Sequence, residues 1–423
     1  MRMRHGLVAA CAVAGCAAVG LLAPPAAADN PRCSSVRADS VPDPVTIGSR
    51  PLAQLDVPRA QQLVERAAPS GPPVRVAVLD SGVTGSRVPV VARHAVTGRS
   101  AVGYFHGTAV AGLVAGAPRE DGSEVGVAPD AQVVDVQVYD GVDEADGAPL
   151  TPDALAAGLE WVAVHARELG IRVANVSLAV DPSTRLERAV RAVQDAGVVV
   201  VAAAGNRPQE GEPFADDFAD DGAAPGEDAA GILYPTSYPG VVSVSSTADG
   251  SGAADVTPYV VQNSRTTVAV PTDDAVSYGL DGRPCVLEPL ATSWAAAEVS
   301  GVLALLWQLH PDDTAAQVVA RLVQTASGTA DLPTPLTGAG VVQPLEALTR
   351  PLDPSRSGEV ERTVATARDT APASAPAPRD DLLASSRDDA VWWGLVGGGV
   401  LVVALLLRPL LARRRREGIA GRR

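Results

Sequence analysis

Lysine is absent from this chain of 423 residues, so its positive charge rests on arginine. With abundant alanine, valine, arginine and glycine, that absence is what GC-rich coding would give. Aromatic residues make up 3%, and the formal net charge is −15. Few rings are available to stack on bases, and no basic patch lies outside residues 412–423, so no nucleic-acid partner is expected. Histidine is scarce as well. His94, His165 and His310 have no acid or cysteine at ligand spacing, so they read as surface or satisfied core side chains, and no metal or other cofactor is expected.

What is present is concentrated in three segments. The run VRVAVLDSGV carries Asp80, FHGTAVAGLVAG carries His106, and ATSWAAAEVSGVLALL carries Ser293. An alcohol is a weak nucleophile at neutral pH. It attacks an acyl carbon when an imidazole takes its proton, and the imidazole works best when a buried carboxylate holds its tautomer. Acid, base and nucleophile therefore stand in that order along the chain.

Residues 74–79 form a nearly continuous apolar run rich in valine, which predicts a buried strand of a parallel sheet with Asp80 at its carboxyl end. Open α/β sheets place their sites at such ends. The small apolar residues after His106 predict a helix packed closely on the sheet. A second helix follows Ser293, where Val299, Val302, Leu303, Leu305 and Leu306 recur at helical spacing. Its amino end favours developing negative charge at Ser293. Between these segments, strands are expected at 130–138, 172–178 and 198–203, with helices at 151–169 and 183–196 and further strands at 241–245 and 267–270. Alternation of this kind implies right-handed parallel crossovers and a doubly wound α/β fold with helices on both faces.

DSGV, HGTAVAG and TSWAA, in this order and joined by GVVVVAAAGN at residues 197–206, resemble the subtilisin-like serine peptidases. That resemblance implies a subtilisin-like sheet, with Asp80, His106 and Ser293 as catalytic residues and Asn206 as a side-chain donor to the oxyanion. It also implies a peptide groove at Ser177 and Leu178, together with Ala204 and Gly205, where substrate adds as a strand. The chain departs from the family pattern at three positions. Ala291 and Ala179 stand where glycine is favoured, and Ala297 where proline is usual. An alanine would strain the backbone if either glycine position required positive φ.

The ends suggest export. Residues 1–28 have Arg2 and Arg4, an apolar stretch and Ala26-Ala27-Ala28, which read as a signal peptide; cleavage and lipidation at Cys16 is the alternative. An amino-terminal extension (29–71) precedes the peptidase domain (72–349). Then come a Pro/Ala-rich stalk (350–389) too polar to bury a core, a transmembrane helix (390–411) and a basic cytosolic tail (412–423). Arg413–Arg416 predict a cytosolic carboxyl terminus and an extracytoplasmic peptidase on a single-pass cell-membrane protein. Removal of the signal takes Cys11 and Cys16 with it. Cys33 and Cys285 then remain in an oxidising compartment, where a disulfide is expected and two free thiols are the alternative. The eight acids Glu210, Glu212, Asp216, Asp217, Asp220, Asp221, Glu227 and Asp228 read as a solvated, mobile insertion; calcium is the alternative, though no loop signature supports it.

In layout the chain resembles the mycosins, membrane-anchored peptidases associated with type VII secretion. For that family the extension wraps around the catalytic domain rather than inhibiting it. The resemblance implies a protein or peptide substrate, membrane attachment through one carboxyl-terminal span, and partners among secretion-complex components. Two functions stay open: a serine endopeptidase acting on secreted proteins, and a weakly active or inactive scaffold on the same fold.

Overall fold

The computed structural model describes residues 30–37, 44–69, 71–99, 101–141, 147–219, 222–361 and 384–420. The expected signal peptide lies outside them. The described residues up to Glu361 form one compact unit, and the described residues after it form another.

Two helices open the first unit, α1 (Arg50–Gln54) and α2 (Val57–Ala67). Seven strands then build its sheet: β1 (Arg75–Asp80), β2 (Val90–Ala95), β3 (Gln132–Gln137), β4 (Ile171–Val176), β5 (Val199–Ala203), β6 (Val242–Thr247) and β7 (Thr266–Pro271). Their order is β2-β3-β1-β4-β5-β6-β7, and every described pairing in it is parallel. The chain leaves β1 toward β3 on one side and later returns to β4 on the other. This reversal makes the carboxyl end of β1 a topological switch point, where such sheets leave a crevice.

Because successive strand side chains point to opposite faces, each strand feeds two cores. Val76 and Val78 join a cluster with α3 (His106–Ala115), while Ala77 and Leu79 join one with α4 (Pro152–Leu169) and α5 (Thr184–Asp195). Thr151 caps α4 by accepting the Ala154 amide, and Ser183 caps α5, so both helices begin where the sequence places them. A hairpin of β8 (Ala275–Tyr278) and β9 (Pro284–Leu287) precedes α6 (Thr292–Leu309), which is buried on nearly every side. A helix that is apolar on almost every face needs such a place. Helices α7 (Ala315–Gln324) and α8 (Pro344–Thr349) complete the unit.

The extension is part of this core. Leu52, Leu55, Val57, Ala60 and Val64 are buried in it, and Arg119 donates to the carbonyls of Val45 and Ile47, each at 2.6 Å. Cys33 is bonded to Cys285, and the Val286 amide donates to the Pro31 carbonyl, which lays the extension along β9. Such a bridge contributes roughly 2–4 kcal/mol.

Two expectations are corrected. Residues 350–361 are not stalk, because they hydrogen-bond to the peptidase fold. Arg321 donates to Leu352 O, Gln317 to Pro354 O and Thr314 to Arg356 O. The acidic stretch after Asn206 is not simply a solvated insertion. Two of its charged groups, Arg207 and Glu227, form an ion pair with side chains 1% and 4% exposed. Arg207 also donates to Ala219 O, and Glu227 accepts from the Gln262 amide, so the stretch is stitched to its neighbours. Phe218 is buried beneath it against Ala229, Leu233 and Val261.

In the second unit, α9 (Ala384–Ala420) begins inside the stretch expected as stalk. Its segment Arg387–Pro409 has 23 residues and a mean hydropathy of 2.2, long and apolar enough to cross a bilayer.

Candidate active site

Asp80 ends β1 fully buried. Its Oδ1 accepts from the Ser81 amide at 2.8 Å, from Tyr139 Oη at 3.2 Å and from His106 Nδ1 at 2.8 Å; Oδ2 lies 3.0 Å from the same nitrogen. His106 is the first residue of α3. What brings the helix so close is Gly107, where a Cβ would stand 2.5 Å from the Gly82 carbonyl. The glycine after the histidine thus sets the acid–base distance.

Ser293 is the second residue of α6, only 7% exposed. Its hydroxyl donates to the Ser177 carbonyl at 3.0 Å, and the Ser177 hydroxyl donates to the Ser293 carbonyl at 2.8 Å. Asn175 donates to Ser177 Oγ and accepts from Ser300 Oγ, so β4 and α6 are joined by a buried polar chain. No hydrogen bond joins Ser293 to His106 among the described residues. The indole of Trp294 lies 5.0 Å from the imidazole, which keeps the two segments adjacent. Resting hydroxyls in this chemistry commonly realign when substrate enters.

Asn206 is exposed just past β5. Its Oδ1 accepts from the Thr292 amide at 2.7 Å and from Thr292 Oγ1 at 2.9 Å. An amide N–H can only donate, so the carboxamide oxygen is fixed there and the NH2 end remains available as a donor. The sequence-expected groove residues differ in availability. The Ala204 and Gly205 carbonyls are taken by Asn263 Nδ2 and the Val261 amide, and Ser177 O holds the Ser293 hydroxyl. Leu178 is buried at 9%. Gly205 has φ +132°, and a Cβ would meet Leu233 at 2.3 Å, so this position demands glycine.

Ala291 does not. Its φ of −152° and ψ of 147° are ordinary extended backbone, so alanine there carries no strain. Ala297 is buried in an unbroken α6.

The structure adds residues that motif reading did not single out. Asp135 on β3 accepts from the Val83 amide at 3.1 Å and Arg93 at 2.5 Å, and burial lifts its carboxyl to about 6 despite both. Tyr104 lies parallel to His106 at 6.3 Å; burial, Asp80 and Glu212 raise its phenol. Glu298 on α6 is fully buried with both oxygens unpartnered among the described residues, and burial holds it well above the usual carboxylate range. A charged residue inside an apolar helix was the available signal for Glu298. Of the remaining histidines, His94 and His165 both stack on Trp161, at 4.7 and 4.3 Å, and His310 has a buried Nε2 with no partner among the described residues.

Comparison with known proteins points to a family. A family model described as the subtilase family matches residues 71–344. Mycosin-1 of Mycobacterium tuberculosis is 33% identical over 321 residues, 67% of this chain and 70% of that protein. Mycosin-3 of the same organism is 31% identical, across 72% of this chain and 73% of its own length. The solved structure of the MycP3 protease from the type VII (ESX-3) secretion system is similar with a TM-score of 0.57 at 30% identity, covering 76% of this chain and 93% of that one.

Proposed function

Because this chain belongs to the subtilase family and is a serine endopeptidase of the mycosin type, we propose that Asp80, His106, Ser293 and Asn206 carry its hydrolysis of secreted proteins outside the cell. The observation that carries this reading is the double contact of Asp80 with His106 Nδ1 at the switch point of the sheet, beside the amino end of α6. With Nδ1 committed to the carboxylate, Nε2 is the nitrogen that accepts the Ser293 proton as Oγ attacks the scissile carbonyl. A rotation of the Ser293 side chain away from Ser177 O makes that transfer. Charge then develops on the carbonyl oxygen, where the Asn206 carboxamide N–H and the Ser293 backbone amide stabilise it. His106 returns the proton to the leaving amine, and water repeats the sequence on the acyl-enzyme.

The peptidase domain spans 72–361 on this reading and is tethered by the span within α9, with the basic tail in the cytosol by the positive-inside rule. Association with a type VII secretion complex extends to this chain what is said of the MycP3 protease. Copurification of secretion-complex components from solubilised membranes tests it; their absence counts against it.

The resting contact of Ser293 with Ser177 O favours one other reading, a scaffold with little hydrolysis. Labelling with a fluorophosphonate decides between them. Wild-type protein should label and Ser293→Ala should not; wild-type protein that stays unlabelled while a related active peptidase reacts would overturn the enzymatic assignment of these residues.

A further inference from the structure

The turn after β1 is held by one neighbouring segment at alternate positions. Asp135 Oδ2 accepts the Val83 amide, Gln137 Nε2 donates to Ser81 O at 3.1 Å and to Ala101 O at 3.0 Å, and Tyr139 Oη reaches Asp80 Oδ1 at 3.2 Å. The Val138 amide, donating to Asp80 O at 2.9 Å, pins the backbone one residue from Tyr139. Tyr139 is 5% exposed and packs in the core beneath α4, leaving its hydroxyl, among the described residues, one charged neighbour within hydrogen-bond reach.

We propose that Tyr139 is a positioning residue for the acid of the triad: its hydroxyl is a third donor on Asp80 that fixes the carboxylate and tempers the charge presented to His106. This rests on the assignment of Asp80 and His106 given above. Direction of donation is settled chemically. Burial and the nearby Asp80 charge push the Tyr139 phenol well above its usual range, so the proton stays on the tyrosine and the carboxylate accepts. Oδ1 then takes three donors and Oδ2 takes one, and this asymmetry anchors the group through the oxygen nearest the turn. A carboxylate with an extra donor is a weaker partner for an imidazolium. Among the described residues, the other titratable or charged groups acting on this pair are Tyr104 before α3, Asp135 with Arg93 across β3 and β2, and Glu212, which acts on Tyr104.

Removing the hydroxyl has two consequences of known sign. The carboxylate loses an anchor, so the step that forms imidazolium slows. More negative charge faces His106, so the imidazolium form persists to higher pH. The test is the rate of fluorophosphonate labelling across pH on the full-length, detergent-solubilised protein, comparing wild type, Tyr139→Phe and Asp80→Asn. For Tyr139→Phe the plateau rate should fall about 3–10-fold and the acidic limb should move up by about half to one pH unit. For Asp80→Asn the rate should fall about 10⁴-fold, as loss of the triad carboxylate does in serine proteases generally. A Tyr139→Phe profile that superposes on wild type in limb position, with Asp80→Asn nearly dead, overturns the role of Tyr139 alone. An Asp80→Asn protein that labels like wild type overturns the triad assignment beneath it. Thermal unfolding of Tyr139→Phe separates the effect from misfolding, since a loss of structure lowers the amplitude at every pH without displacing the limb. Should that variant fail to fold, Tyr139→Leu, which removes the hydroxyl and adds no donor, takes its place in the same comparison.

Discussion

The two halves of the candidate site are held in different ways. Around Asp80 the donors come from the adjoining turn, from α3 and from one neighbouring segment, and the acid–base contact is formed without substrate. Around Ser293 the contacts reach across the chain. Ser177 is 116 residues away and Asn206 is separated from Thr292 by 86, and the nucleophile's proton points to a carbonyl instead of the base. One half is preassembled, and the other is poised for rearrangement. The fold can afford rigidity at the acid because its charge does not move, whereas the nucleophile must change partners during the reaction.

This contrast makes perturbations separable. Changes near Ser293 should lower the labelling amplitude and leave the acidic limb in place; changes near Asp80 should move the limb. The largest effect on stability is expected at Glu227→Ala, which strands the charge of the buried Arg207 guanidinium next to Asn206. Breaking a buried pair from one side costs about 3–5 kcal/mol, read as a lowered denaturant midpoint. Burial works against the Glu227 carboxylate, yet the Arg207 hydrogen bond and the Gln262 amide outweigh it and leave its pKa lowered. Wild-type protein therefore gains stability from this group above the usual glutamate range and loses it as pH falls below that range. An unchanged midpoint would mean that the pair contributes nothing and that the acidic stretch is as loose as its composition suggests.

Next in size is Asn206→Ala. It removes the carboxamide donor and should lower the hydrolytic rate about 10²–10³-fold, the loss measured for the equivalent donor in subtilisin itself. Because Thr292 donates two hydrogen bonds to the same side chain, thermal unfolding must be read alongside. A fall in rate with the acidic limb undisplaced supports the division into halves. A displaced limb would break it, since the two halves would then share one electrostatic unit.

Much of the preassembled half was legible in sequence. A continuous valine-rich run marked β1, and the small apolar residues after His106 implied a helix packed closely on the sheet. What stayed hidden involves either polar residues in strands or partners far along the chain. Strand β2 sits at the sheet edge with alternating exposure and reads as VVARHA, too polar to announce itself. Helix α2 is amphipathic, but where its apolar face docks is fixed partly by Gln61 reaching the carbonyls of Gly126 and Val127, which no local pattern encodes. The concern over Ala291 dissolved for a similar reason. Sequence shows which residue stands there, whereas φ is set by the strand-like entry into α6. Arg207 looked like the start of a charged loop because its partner lies 20 residues on.

The smallest expected effect tests the rigid half through pH. Burial raises Asp135 from the ordinary carboxylate value of 3.8 to about 6, against the opposing pull of the Val83 amide and Arg93, with the Asp80 charge adding to the rise. The unfolded chain therefore releases this proton before the folded one does. Stability from the neutral acid is fully present below about pH 4 and is lost as pH climbs through about 6. Asp135→Asn keeps the shape, removes the titration and leaves the half-exposed Arg93 free to turn to solvent. Between pH 4 and 6.5 the unfolding temperature of the wild type should fall relative to that of the variant, by a few degrees. Curves that run parallel would show that Asp135 ionises as easily inside the fold as outside it. The Val83 turn, and with it the geometry of Asp80, would then be held by a charge that folding does not penalise, and the acid half would owe its rigidity to hydrogen bonding alone.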